Sequence, residues 1–213
     1  ARIHGYTILI AIMQSLSEID TTSKRASKAA GFSWGIAEEI GKSVRNLELF
    51  GLPGIKNLNL YLKKIKKKHP NKVKEIKKEN KNNEMCPIYC GVAFLDQCKR
   101  LEHLVKISFS NLNYPLLIIP FISKASEIVG KKIIIQFDKN IFLVNFNKTI
   151  LLKSIDKQII HLSKKINIEF LENKNSFSDI EWKELYKLSE KTFVDESESL
   201  KKKGAGAGLT DND

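Results

Sequence analysis

Lys132-Ile133-Ile134-Ile135-Gln136-Phe137, then Asp138-Lys139-Asn140, then Ile141-Phe142-Leu143-Val144-Asn145-Phe146, reads as a β-hairpin. Two runs rich in Ile, Val and Phe flank a short polar turn, which is the pattern of paired strands. Outward from this hairpin, residues 104–109 have strand composition and residues 111–113 read as a turn. Residues 149–152, 158–162 and 167–171 alternate well enough to add further antiparallel strands. Residues 114–129 are strongly apolar, contain Pro115 and Pro120, and end at Gly130. They predict a buried helix preceded by an extended piece.

Upstream the signals are helical. Ser15-Leu16-Ser17-Glu18 has capping-box spacing, and Leu16, Ile19, Ser23, Ala26 and Ala30 form the expected buried stripe. Ser33 is placed to cap a second helix that Gly51 and Pro53 terminate. Its inner face carries Ile36, Ile40, Val44 and Leu47. At about 100° per residue, Glu38 then points to solvent with Lys42 and Arg45, while Glu39 lies on the apolar border. Leu58, Tyr61, Leu62 and Ile65 define a third helix, which Pro70 stops. Pro87 at a first helical position makes Cys86 an N-cap. Ser178-Asp179-Ile180-Glu181 opens a last helix, with Trp182, Leu185, Tyr186, Ser189 and Phe193 on its expected inner side.

The expected fold is α+β, one unit in which a helical N-terminal part packs with an antiparallel sheet and a late C-terminal helix. Residues 1–12 read as upstream sequence before a start at Met13, and residues 13–213 as one domain. Within it, residues 13–69 are helical and residues 70–84 a Lys/Asn-rich exposed loop. Residues 85–203 carry a helix plus the sheet, and residues 204–213 a Gly-rich acidic tail.

The formal charge of +12 is concentrated: residues 63–81 hold ten Lys against Glu75 and Glu79. Arg occurs only at positions 2, 25, 45 and 100, whereas phosphate and base recognition favours the guanidinium fork. Compositional drift in an A+T-rich genome explains such Lys and Asn abundance without selection, so nucleic-acid binding ranks last. Three cysteines fit a reducing, cytoplasmic compartment better than a disulfide scaffold. No apolar run reaches the roughly 20 residues of a membrane span.

Ser15-Leu16-Ser17-Glu18-Ile19, residues 34–39, Gly51-Leu52-Pro53-Gly54 and the tail from Gly204 to Asp213 together form one pattern. It resembles the bacterial family catalogued as domain of unknown function 3726, over nearly the whole chain from Met13. That family has no assigned activity, so the resemblance implies a full-length single unit and no catalytic residues.

The residues themselves offer few sites. Cys86 and Cys90 have the wrong spacing for a zinc or dithiol motif, and the four histidines are scattered, so no metal site is expected. A thiol at a helix N-terminus has a lowered pKa, which makes Cys86 a catalytic candidate, although a free Cys is more often a small buried hydrophobe. Glu39, at an apolar margin near Trp34, is a second candidate if burial raises its pKa, although a helix-start carboxylate more often serves structure by satisfying the helix dipole or the preceding turn. The Gly-Ala tail can curl its N–H groups around an anion, and its oxygen-rich end can ligate a hard cation. Binding candidates are therefore Trp34, Asp96, Gly204, Gly206, Gly208, Thr210, Asp211 and Asp213. The expected function is small-molecule binding or metabolism with the tail near the site, the cofactor and oligomeric state being open. The rival is a non-catalytic accessory subunit that docks on a partner protein.

Overall fold

The computed structural model describes residues 14–145, 150–152 and 160–190. The chain divides into two compact units, Ala1–Asn173 and Lys174–Asp213. The first opens with α1 (Leu16–Ala29), α2 (Trp34–Leu49) and α3 (Gly54–Ile65), as the sequence predicts. Strand β1 (Glu79–Asn80), α4 (Pro87–Asp96) and α5 (Cys98–Leu101) follow. Then come β2 (Lys106–Asn113), a 3₁₀ turn (Pro115–Ile118) and α6 (Ile119–Val129). Strands β3 (Ile133–Phe137), β4 (Asn140–Val144), β5 (Ile150–Leu152) and β6 (Leu162–Phe170) complete this unit. The second unit contains α7 (Asp179–Ser189).

The sheet order is β1-β2-β6-β3-β4-β5. The hairpin is β3–β4, in register Phe137↔Asn140, and Asp138 takes a positive φ of 49° in its turn. All strand pairs are antiparallel except β1–β2, so the sheet is mixed, with one short parallel edge. Its inner face carries Ile107, Phe109, Ile133, Ile135, Phe142, Ile166, Ile168 and Phe170, all buried. Helices α4 and α6 belong to the same core, with the Phe94 and Phe170 rings stacked 5.9 Å apart.

Local signals succeed where their partners are close in sequence. Both capping boxes form, Ser15 with Glu18 and Ser178 with Glu181. Pro87 opens α4, and the Cys86 thiol accepts the Tyr89 N–H at 3.3 Å. Four expectations change. Residues 111–113 do not turn: Asn111 adopts a φ of 55° inside β2, and the pairing resumes at Leu112↔Ser163. The piece before α6 is a 3₁₀ turn rather than extended. Ser33 occupies the N-cap of α2 but makes no side-chain capping bond. The apolar residues of α7 face water, since every described residue of that helix is exposed. Phe193, residues 1–13 and residues 191–213 lie outside the described residues.

The largest change concerns the Lys/Asn-rich stretch, which is not a free loop. Ile76 is fully buried, its N–H donates to Gln97 Oε1 at 3.1 Å, and its carbonyl accepts from Arg100 at 2.7 Å. Asn80, also buried, accepts from the Lys77 N–H and donates to the carbonyls of Lys77 and Ser108. The Ser108 N–H donates to the Lys78 carbonyl at 2.9 Å. One apolar anchor and a bracketing amide therefore hold this basic segment against the sheet edge.

Close helix packing rests on glycine. A Cβ at Gly41 would lie 2.6 Å from Asp20 Oδ1 and 2.7 Å from the Asp20 carbonyl oxygen, so α1 approaches α2 nearly to backbone contact. At Gly35, also in α2, nothing lies within 4 Å of the same atom. Gly41→Ala should therefore destabilise the protein by about 1–3 kcal/mol through overpacking. Gly35→Ala should instead be neutral or stabilising by up to about 1 kcal/mol, because alanine is the better helix former. Urea unfolding of the two variants checks the opposite signs.

Candidate functional site

The expected inner stripe of α1 is only partly inner. Ser23 and Ser27 are buried, whereas Leu16 is 39% exposed and Ala26 is exposed as well. The reason is tertiary: the close approach at Gly41 turns the small polar residues of α1 inward. Ile19, Ser23 and Ala26 of the stripe line a groove between α1 and α3 of about 430 Å³. Its apolar members are Ile19 and Ala26 from α1, with Ile55, Leu58 and Leu62 from α3. Gln14, Glu18, Thr22, Ser23 and Asn59 add hydrogen-bonding groups. Glu18 is partly committed already, because its carboxylate accepts from the Ser15 N–H and hydroxyl, each at 2.8 Å. Those bonds, the backbone one foremost, hold its carboxyl below the usual range. The groove can take an apolar body and offers amide and hydroxyl partners to a polar end.

Glu39 lies elsewhere, in a cleft of about 350 Å³ between α2 and α6 that Lys42, Arg45, Ser123 and Lys124 also line. Its side chain is 29% exposed, against 54% for Glu38, which confirms the unequal placement of the two glutamates. Lys124 donates to Glu39 Oε2 at 2.9 Å, and Lys42 lies 3.4 Å from Oε1. Burial alone would raise the Glu39 pKa, but the two ammonium groups outweigh it and the net shift is downward. The raised pKa that a proton-transfer role would need is absent, and the structural alternative for this carboxylate holds. Glu39 is a charged tie between α2 and α6, poorly suited to donate a proton near neutrality.

Cys86 is the small buried hydrophobe that a free cysteine more often is. Burial pushes its thiol up to about 11, more than the hydrogen bonds around it lower it. The helix terminus does not make it a thiolate, because the site excludes water. Trp34 stands 59% exposed at the start of α2, with the Lys28 ammonium 5.5 Å above its ring. Asp96 borders a shallow depression with Gln97, Cys98 and Lys99 at the α4–α5 junction. Glu39 and Asp96 thus line different depressions, and Cys86 is buried in the core. Gly204, Gly206, Gly208, Thr210, Asp211 and Asp213 lie outside the described residues. Among the described residues no group of three or more His, Cys, Asp or Glu could hold a metal. Nor is any helix among them long and apolar enough to cross a membrane.

Sequence reasoning missed His69, which it left within the basic stretch. Its Nδ1 lies 3.2 Å from the Ala30 carbonyl and its Nε2 2.9 Å from the Tyr89 hydroxyl, with its ring edge-on to Phe32. As the carbonyl can only accept, Nδ1 carries the proton and, in the neutral ring, Nε2 accepts from Tyr89. The ring ties the end of α1 to α4. No local pattern announces this, because the partners lie 39 and 20 residues away.

Residues 14–86 match the model of a family described as "Protein of unknown function (DUF3726)". The match supports membership of the domain of unknown function 3726 family. It spans α1, α2, α3 and the basic segment, and it stops at Cys86, so the tail is outside it. All the residues that line the α1–α3 groove fall within the matched stretch, whereas the α2–α6 cleft falls only half within it. No curated protein and no solved structure matches the chain.

Glu38→Gln should change stability by less than about 0.5 kcal/mol, as expected of an exposed pair. Glu39→Gln should cost about 0.5–1 kcal/mol at neutral pH, a figure discounted for its partial exposure to solvent. A carboxyl with a lowered folded pKa stabilises above its unfolded value of about 4.3, and the contribution is lost as pH falls through the lower folded value. Urea titrations at neutral pH and in acid should show the Glu39→Gln deficit closing in acid. Equal, negligible effects of both variants would remove the assigned tie.

Proposed function

We propose that this member of the DUF3726 family binds a small, largely apolar molecule with one hydrogen-bonding end in the groove between α1 and α3. The observation that carries this reading is the amphipathic stripe of α1. Its Ile19 and Ala26 line an open groove together with Ile55, Leu58 and Leu62, the exposed edges of Ile19 and Leu62 facing the groove while their other sides pack against the core. A volume of about 430 Å³ lies within the range of roughly 300–1,000 Å³ typical of ligand pockets. Thr22, Ser23 and Asn59 supply neutral donors and acceptors, which orient a ligand without demanding a charged one. The Glu39 tie and the buried Cys86 support binding over covalent or acid–base chemistry.

The test is native mass spectrometry of the gently purified protein beside Ala26→Trp. The indole fills the groove from the exposed face of α1, so its cost to folding should be small. A bound small molecule in the wild type that is missing from Ala26→Trp, with matching melting curves, is the expected outcome. Equal occupancy in both, or co-purification of a protein with the groove empty, would overturn the reading. Deleting residues 204–213 is a further arm: loss of the same molecule would give the Gly-Ala tail a part in holding it. Retention would leave binding to the groove alone.

A further inference from the structure

The basic segment changes its meaning once its backbone is seen to be held. A solvated, mobile run of lysines needs no explanation beyond composition. Here Ile76 is bonded to Gln97 and Arg100 at the α4–α5 junction, and Lys78 and Asn80 are bonded to Ser108 at the sheet edge, with Ile76 and Asn80 turned inward. Lys72, Lys74, Lys77, Lys78 and Lys81 are left exposed. Among the described residues, Lys66, Lys67, Lys68, Lys72, Lys74 and Lys77 make no ion pair. The held segment supplies unneutralised charge from fixed backbone positions, where a mobile loop would lose entropy on binding.

The neighbouring strands extend this edge. Glu79 pairs in register with Ser108, Ser108 with Asn167, and Asn167 with Gln136, which sets a polar row across three strands and the edge. Lys78 and Lys106 border the same depression of about 300 Å³. Lys81, 3.0 Å from the Glu79 carboxylate, foremost holds it below its usual range, and Lys165 and Lys78 add to the lowering.

We propose that this edge, residues 72–81 with Lys106 and Lys165, is a binding surface for a nucleic-acid strand gripped by its phosphates. Lysines supply the phosphate contacts, and Ser108, Asn167 and Gln136 suit sugar and base edges. A membrane surface fits less well, because no large apolar side chain from residues 66–81 is exposed to enter a bilayer. Among the described residues this surface carries no aromatic platform, and the Arg100 guanidinium is spent on Ile76 and Gln97. Binding is therefore sequence-independent and steeply salt-dependent.

Fluorescence anisotropy with a labelled single strand of about 20 nucleotides, longer than a typical single-strand site, tests this. The variant Lys72→Gln/Lys74→Gln/Lys77→Gln/Lys78→Gln should bind about tenfold or more weakly at low salt, with a salt slope shallower by about 3. Its melting curve should match the wild type, as none of these side chains is buried. A control, Lys56→Gln/Lys132→Gln/Lys183→Gln/Lys187→Gln, removes the same charge elsewhere and should keep most of the affinity. Equal loss in the control would show binding by net charge and overturn the proposal. So would absence of binding by the wild type at low salt, or binding to anionic vesicles with none to the oligonucleotide.

Discussion

The contact between Gly41 and Asp20 governs how the helical part is built. With no side chain at Gly41, α1 lies against α2 almost backbone to backbone, and Asp20 is near enough for its carboxylate to reach Arg45 at 3.3 Å. This seating turns Ser23 and Ser27 inward. It also leaves Ile19 and Ala26 facing α3 across open space. A larger residue at position 41 would push the helices apart and change which face of α1 is buried. The groove is thus a consequence of one close approach, with apolar pattern and packing out of phase.

The two depressions on α2 and its neighbours differ in kind. Between α2 and α6, charges meet charges: Glu39 is held by Lys124 and Lys42, and its carboxyl is pulled down. Such a network ties elements that lie far apart in sequence and pairs its charges, although the buried Ser123 hydroxyl at the same cleft has no hydrogen-bond partner among the described residues. Between α1 and α3, the exposed edges of apolar side chains line an open groove, and covering that surface would release about 25 cal/mol per Å². A cleft whose charges are already paired offers little to an apolar molecule, whereas an open apolar groove gains from being covered.

What could be read from the sequence was what local chemistry decides. The hairpin around Asp138, the capping boxes at Ser15 and Ser178 and the start of α4 at Pro87 all depend on neighbours within a few residues. Failures occurred where a distant partner decides. Lys124, 85 residues from Glu39, lowers a pKa that burial alone would have raised. Gln97 and Arg100, more than 20 residues from Ile76, convert an apparent loop into a held edge. The helix N-terminus at Cys86 was legible, but the packing that shuts water away from the thiol was not. The α1 stripe was also legible as a pattern, while its exposure was not, because helix rotation was settled by Gly41.

The most direct measurement is a methyl-detected NMR spectrum of the gently purified protein before and after extraction of any small molecule bound to it. Contacts from the molecule to the methyls of Ile19, Ile55, Leu58 and Leu62 are the expected result, with Leu49 at the α2–α6 cleft unchanged. Contacts confined to the α2–α6 cleft, or a spectrum indifferent to removal of the molecule, would contradict the assignment of the groove.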